Sequence, residues 1–219
     1  MVRGYSSLQI GETMFVTGVA MFLTAPLAGR LMTTVDPRAM IATGFILFAV
    51  GTWQATFVTV DWDFWELLWP QIFRGVGLMM SMVPINNLAL GTMSPMKIKN
   101  ASGLFNLMRN LGGAVGLALI NTLLDKRMDL HLERLRESVT WGRQVAVDTL
   151  ADMTKALAAR GSDAELAATR ELALIVRRQA EVLALSDVFL ALTVIFLGCV
   201  GFGALMRRPA GMPGGGGGH

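Results

Sequence analysis

Residues 67–93, LLWPQIFRGVGLMMSMVPINNLALGTM, and residues 101–124, ASGLFNLMRNLGGAVGLALINTLL, are two long apolar runs joined by a short basic hinge, SPMKIKN. About 20 mostly apolar residues, rising about 1.5 Å each, cross the roughly 30 Å hydrocarbon core of a bilayer. Each run is therefore long enough to form a transmembrane helix. Each also contains one arginine, Arg74 or Arg109, at a depth where charge is costly and usually has a function. Small residues in both runs predict close approach of neighbouring helices: Gly75, Gly77, Gly112, Gly113 and Gly116.

The composition of the whole chain is that of a membrane protein. Of its 219 residues, 53% are hydrophobic and 16% are charged, whereas about 25% of a soluble domain is charged. The 19 Lys and Arg outnumber the 16 Asp and Glu, but they lie at the ends of apolar runs. This position indicates membrane orientation rather than nucleic-acid binding. With one cysteine and two histidines, the sequence predicts no disulfide within the chain, no metal site and no cofactor.

Five transmembrane helices are predicted, in an all-α bundle. Four of them lie within residues 1–124, at about 10–32, 40–60, 67–93 and 101–124. The fifth lies at 188–206 and is followed by a Gly-rich tail, 207–219. Between the second and third spans, the acidic and Trp-rich segment DWDFWE (61–66) is typical of a membrane surface.

The short loops predict the orientation of these spans. Three basic clusters alternate so that they share one side of the membrane: Arg30 with Arg38, Lys97 with Lys99, and Arg207 with Arg208. The positive-inside rule puts that side, and the C-terminal tail, in the cytoplasm. Five spans then leave Met1 outside, which predicts that the chain is the C-terminal part of a longer membrane protein.

Residues 125–187 form a densely charged region with ten Lys or Arg and eleven Asp or Glu. Apolar residues recur there at helical spacing on both sides of Arg160 and Gly161, and Ser162–Glu165 fits a capping box. The pattern predicts an external helical hairpin. It either packs on itself as a cap or helps to dock a partner.

The chain resembles the C-terminal third of the EmrB/QacA-type drug:proton antiporters of the major facilitator superfamily. The resemblance rests on APLAGRLMTTVDPR (25–38), WPQIFRGVGLMMSMVPINNLALGTMSP (69–95), the run 101–124, and QAEVLALSDVF (179–189). It implies a multi-pass transporter of the bacterial inner membrane that exports small amphipathic toxic compounds in exchange for protons, by alternating access of two helical bundles. It implies no enzymatic activity. The implied partners are the lipid bilayer, a periplasmic adaptor and an outer-membrane channel.

The sequence departs from the family pattern in one cytoplasmic loop, whose motif residues are Gly29, Arg30, Asp36 and Arg38. The family usually places Asp and Arg where Thr33 and Thr34 stand, and Gly at the position of Asp36. The family's proton-linked residues lie mostly in earlier helices, so the resemblance implies that this chain alone does not transport.

Several polar residues within the spans are candidates for substrate contact or gating. Arg74 and Gln71 lie near the external end of the third span, where Arg74 either forms an ion-pair latch with Glu12 or Asp187 or snorkels to the interface. The amides Gln54, Asn86 and Asn87 contact substrate or join helices, two alternatives that the sequence leaves open. Near the cytoplasmic end of the fourth span, two further residues line a cavity or gate, or pair with helix ends: Asn106 and Arg109.

A second class of function is a membrane scaffold or assembly subunit that acts through the external hairpin. The density of Gly, Pro and Asn inside the third and fourth spans argues against it, because plain membrane anchors do not need these residues. An intramembrane enzyme would need paired carboxylates, His ligands or a Ser/Lys dyad at membrane depth, and the sequence offers none.

Overall fold

The computed structural model describes residues 7–59, 62–91, 95–138, 144–158 and 163–205, and no strand occurs among them. It confirms the predicted all-α fold. The six helices are α1 (Ser7–Leu31), α2 (Pro37–Ala55), α3 (Phe64–Gly91), α4 (Pro95–Ser138), α5 (Gln144–Ala158) and α6 (Ala164–Leu205). The predicted tail 207–219, and the predicted helix break at Arg160 and Gly161, lie outside the described residues.

The five predicted spans each overlap one helix, although several helix ends differ from those predicted. Helix α2 ends at Ala55, earlier than expected, because Thr56 turns back on Trp53 through its backbone N–H (3.0 Å) and its hydroxyl (2.7 Å). Helix α4 begins at Pro95, inside the predicted basic hinge. Proline is favoured at the first helical position because its missing N–H has no partner there in any case.

Helix α3 begins with a capping box that the sequence analysis interpreted only as an acidic surface loop. The Glu66 carboxylate accepts from the backbone N–H of Asp63 (2.9 Å), and the Asp63 carboxylate accepts from the N–H of Phe64 (3.0 Å). Two groups that the helix start leaves without a partner are thereby paired. The D-x-x-E spacing of Asp63 and Glu66 is the sequence signal of this cap, and it was not used in the prediction.

The predicted external hairpin is continuous with the membrane spans. Helix α4 runs through residue 125 to Ser138, and α6 runs unbroken from Ala164 through residue 187. The start of α6 lies next to Asp163, where the capping signature predicted a helix to begin. No loop separates the fourth span from the hairpin or the hairpin from the fifth span. The sequence around both predicted boundaries carries good helix formers and contains neither Gly nor Pro.

The helices pack in a defined order. Helix α3 lies against α1 on one side and α2 on the other, α2 also contacts α6, and α4 and α5 both contact α6. Phe196 of α6 joins α2 through Phe48 and Phe45, with ring centroids 4.3 and 5.6 Å apart. The buried side chains are mostly small, such as Ala20, Ala49 and Thr52, so the helix axes can approach closely.

By length and composition, three helical stretches of the described residues are apolar enough to cross a membrane: Gly11–Leu31, Ala101–Glu137 and Ala164–Gly201. The other two predicted spans lie on α2 and α3. Polar residues lower the hydropathy of both helices. Arg38 and Gln54 lie near the ends of α2, and α3 carries Gln71, Arg74 and the two asparagines.

Candidate polar site in the helical bundle

The backbones of α2 and α3 touch at their glycines. A Cβ built at Gly77 would lie 2.5 Å from the Phe48 nitrogen and 2.6 Å from the Gly44 oxygen. A Cβ built at Gly44 would lie 2.7 Å from the Ser81 nitrogen. Such distances are too short for any side chain, so this crossing requires glycine on both helices. The crossing also brings Arg74 of α3 against α2.

Arg74 lies where α2, α3 and α6 meet. Its guanidinium carbon is 5.9 Å from the ring centroid of Phe48 and 5.6 Å from that of Phe189, so two helices supply aromatic contacts to one cation. The Cβ position at Gly51 lies 2.8 Å from the Arg74 Cγ, and only glycine leaves room for the arginine stem. The Nε of Arg74 is buried and has no hydrogen-bond acceptor among the described residues.

Of the two alternatives for Arg74, the latch with Glu12 or Asp187 is not formed among the described residues. Asp187 pairs instead with His131, whose Nε2 is 2.8 Å from its Oδ2, and with Arg127 at 3.5 Å. These two partners lie in the part of α4 that follows the predicted fourth span, residues 125–138, so Asp187 joins α6 to α4. Glu12 is exposed on α1 and lines a surface cavity of about 520 Å³ with Phe64. Sequence analysis missed His131, whose only signal was a lone histidine in a charged helix.

The amides of α3 have different surroundings. Gln71 joins α3 to α1, since its Oε1 accepts from the Thr17 hydroxyl at 2.7 Å. The Oδ1 of Asn86 is buried and has no hydrogen-bond partner within the described part of the chain. Asn87 is exposed and donates to its own helix at Val83 (3.1 Å) and to the sulfur of Met32 (3.2 Å). Gln54 is half-buried in the last turn of α2.

A buried threonine pair that the sequence did not reveal links α2 to α6. The hydroxyls of Thr52 and Thr193 are 2.9 Å apart, and the Thr52 hydroxyl also bonds to the Phe48 carbonyl at 3.1 Å. One turn further along α2, the Ser186 hydroxyl donates to the carbonyl of Thr56. Thr52 and Thr193 each lie one helical turn after a ring that contacts Arg74, Phe48 on α2 and Phe189 on α6.

Asn106 and Arg109 are not brought to this site. Both lie on α4, where both side chains are exposed and neither forms a hydrogen bond or ion pair with another described residue. Helix α4 has few contacts with α3. The structure therefore separates the polar residues of the third predicted span from those of the fourth.

The loop between α1 and α2 is a pair of helix caps. Hydroxyls of Thr33 and Thr34 donate to the carbonyls of Arg30 (2.7 Å) and Leu31 (3.2 Å) at the end of α1. Asp36 caps α2 and accepts from the backbone N–H of Arg38 at 3.0 Å. The two threonines that depart from the family motif thus take up a local role. Gly29 has open space around its Cβ position.

This arrangement consists of groups suited to non-covalent contacts. It offers a guanidinium held between two rings, a buried amide oxygen without a partner, and hydroxyl pairs between closely packed helices. With apolar helices long enough to cross a bilayer, the fold defines a multi-pass, all-helical membrane protein.

Comparison with known proteins agrees. The family model of the Major Facilitator Superfamily matches residues 1–126, and the chain belongs to this family, in its EmrB-type branch. It is 38% identical over 164 residues to the Colistin resistance protein EmrB of Acinetobacter baumannii, covering 75% of this chain and 32% of the relative.

Two more distant relatives match along nearly all of the chain. The Fatty acid resistance protein FarB of Neisseria gonorrhoeae is 27% identical over 216 residues, 99% of this chain and 41% of the relative. The Multidrug export protein EmrB of Escherichia coli is 27% identical over 218 residues, 99% of this chain and 42% of the relative. The chain thus spans between about a third and two fifths of the length of these relatives.

Proposed function

We propose that the chain is part of a proton-coupled multidrug efflux transporter of the bacterial inner membrane, and that the whole protein exports amphipathic toxic compounds. The observation that carries this proposal is the 38% identity to a colistin resistance protein over three quarters of the chain. Relatives described as multidrug export and fatty acid resistance proteins support the same class of activity. The scaffold alternative has no comparable support.

Within this proposal, Arg74 and Asn86 contact the transported compound or the helices that move around it. Buried polar atoms nearly always have partners, and an unpaired one costs about 1–3 kcal/mol. The Nε of Arg74 and the Oδ1 of Asn86 lack such partners among the described residues. A ligand, or a second conformation of the protein, that supplies these partners would be favoured by that free energy. Alternating access requires such a free-energy difference between conformations.

The proposal includes an orientation of the chain in the membrane. The loop with Arg30 and Arg38 and the C-terminal tail face the cytoplasm, and the outer parts of α4 and α6, with α5, face outward. On that side they are placed to meet a periplasmic adaptor that leads to an outer-membrane channel. The candidates Gln54, Gln71, Asn87, Asn106 and Arg109 remain proposals for substrate contact or gating.

The test of transport uses the full-length protein in proteoliposomes with an imposed pH gradient. We expect uptake of a fluorescent amphipathic dye into inverted vesicles when the interior is acidic. Collapse of the gradient by a protonophore should abolish it. Dye movement that is unchanged after the gradient is collapsed would contradict proton coupling, and a protein that moves no amphipathic compound would overturn the efflux proposal.

Variants of Arg74 test its role in that assay. Arg74→Met removes the cation and Arg74→Lys keeps it but loses the planar group that stacks on Phe48 and Phe189. We expect both to reduce dye transport about tenfold or more, while the thermal unfolding midpoint changes little, because replacing an unpaired buried charge by an apolar side chain is often neutral. Arg178→Lys, at an exposed position of α6, is the matched control. Full transport by Arg74→Met would remove Arg74 from the site.

A further inference from the structure

The outer parts of α4 and α6, with α5, enclose a half-open cavity of about 860 Å³, well away from Arg74. Its apolar lining comes from all three helices: Met128, Leu132, Val147, Leu150, Ala173 and Val176. Each helix contributes residues three or four positions apart, which lie on one face. The cavity is therefore formed by the way these helices meet and is not a gap beside a single side chain.

Three arginines also line this cavity, against a single carboxylate, that of Asp129. Arg170 and Arg177 are two turns apart on one face of α6, about 10 Å along the axis. Arg136 follows Met128 and Leu132 on the same face of α4. Arg177 lies 3.5 Å from Glu181 on its own helix. No ion pair to another described residue occupies Arg136 or Arg170.

We propose that this cavity binds a small amphipathic anion, a carboxylate on an apolar chain. The apolar residues bury the chain, and the guanidinium groups of Arg136 and Arg170 receive the carboxylate, for which arginine has the matching two-donor geometry. The carboxylate of Asp129 disfavours a second anionic group on the ligand and so selects a single head group.

The size of the cavity suits a small ligand. Small-molecule sites occupy about 300–1,000 Å³, and the volume of about 860 Å³ lies within that range. This inference concerns a site outside the predicted spans 101–124 and 188–206 and does not depend on the transport proposal.

The test is photo-labelling of the full-length protein in phosphatidylcholine nanodiscs with decanoate that carries a terminal diazirine. Peptide mapping should place adducts on α5 and on the flanking residues 128–136 and 169–177. Unlabelled decanoate should compete, whereas decyltrimethylammonium and decanol should not. Octanoate should compete more weakly, by up to about fourfold for each methylene lost.

Charge variants provide the matched comparison. The double variant Arg136→Gln with Arg170→Gln should lower the affinity for the probe about tenfold or more. Arg134→Gln with Arg178→Gln removes the same charge from the same helices at positions that do not line the cavity, and should leave the affinity unchanged. Ala173→Phe should fill the cavity and abolish labelling there while the thermal midpoint is retained.

Several outcomes would overturn the proposal. Equal competition by the cationic and anionic amphiphiles would show that charge does not select the ligand. Competition by phosphatidylglycerol at the level of decanoate would assign the cavity to a lipid head group. Cysteines introduced into the cavity lining would report self-association. If they cross-link two copies of the chain and the cross-link blocks the probe, the cavity is an interface between copies. Loss of labelling in the double variant Arg134→Gln with Arg178→Gln, with labelling retained in Arg136→Gln with Arg170→Gln, would place the anion elsewhere. None of these results bears on dye transport.

Discussion

Two glycine-bearing helices of this protein, α3 and α4, have similar sequences and opposite surroundings. On α3, a Cβ at Gly77 would lie 2.5 Å from the backbone of α2, and one at Gly75 would lie 2.9 Å from the Cβ of Ala20. On α4, a Cβ at Gly112, Gly113 or Gly116 would meet nothing within 4 Å. Small residues permit close packing, but they stabilise the bundle only where a second helix lies against them.

The same contrast extends to the polar residues of the two helices. On α3, Gln71 bonds to α1, and Arg74 lies between rings of α2 and α6. On α4, Asn106 and Arg109 are exposed, and no residue of the stretch 101–137 is buried. Among the described residues, Gln71 and Arg74 of α3 therefore have partners on other helices, and Asn106 and Arg109 of α4 have none.

The largest effect that tests this comparison is expected from adding a methyl group to each helix. Gly77→Ala should lower the free energy of unfolding by about 3 kcal/mol, because the backbones of α2 and α3 must move apart. Gly112→Ala should leave it unchanged or raise it by up to about 1 kcal/mol, since alanine favours the helix and no described residue lies within 4 Å of the added Cβ. Denaturant unfolding of the reconstituted protein measures both.

Equal destabilisation by the two alanines would show that α4 is as closely packed as α3, and the comparison would fail. Gly103→Ala provides a second open position on α4 and should behave like Gly112→Ala.

A smaller effect is expected from removing one hydroxyl. Thr52→Val deletes the buried bond to Thr193 and should destabilise the protein by about 1 kcal/mol. Thr193→Val should cost a similar amount, and the double variant should cost less than the sum, because both changes remove one shared contact. On α4, Thr122 bonds only to its own helix at Ala118, so Thr122→Val should have no measurable effect. Strict additivity of the first two would argue against the inter-helix bond.

The smallest effect is expected where α4 is attached to α6. Asp187→Ala removes the contacts to His131 and Arg127 and should cost about 0.5 kcal/mol, the usual range for partly exposed ion pairs. Its signature is faster amide exchange in the outer part of α4, with α2 and α3 unchanged. Asp152→Ala, which removes an exposed pair with Lys155 on α5, is the control. Faster exchange across the whole bundle would mean that Asp187 supports more than this junction.

The sequence predicted the positions of the helices in the chain better than the contacts between them. Run lengths and apolar content located all five helices that carry the predicted spans, and the capping signature before Ala164 located the start of α6. The pairing of Arg74 with Glu12 or Asp187, one of two alternatives that the sequence left open, is not formed here, because a similar predicted depth does not give side chains the same direction around their helices. Asp187 faces α4, whereas Arg74 faces the rings of Phe48 and Phe189.

Sequence alone thus determined the all-α fold, the multi-pass class and the family, because these depend on hydrophobicity summed along the chain and on local motifs. Tertiary structure alone decided which glycines are in contact, which polar atoms are paired, and that three arginines of the outer region line one cavity. Those outcomes depend on the rotation and crossing of each helix. Both are set by side chains far apart in the chain, and composition and spacing within a single run carry no information about them.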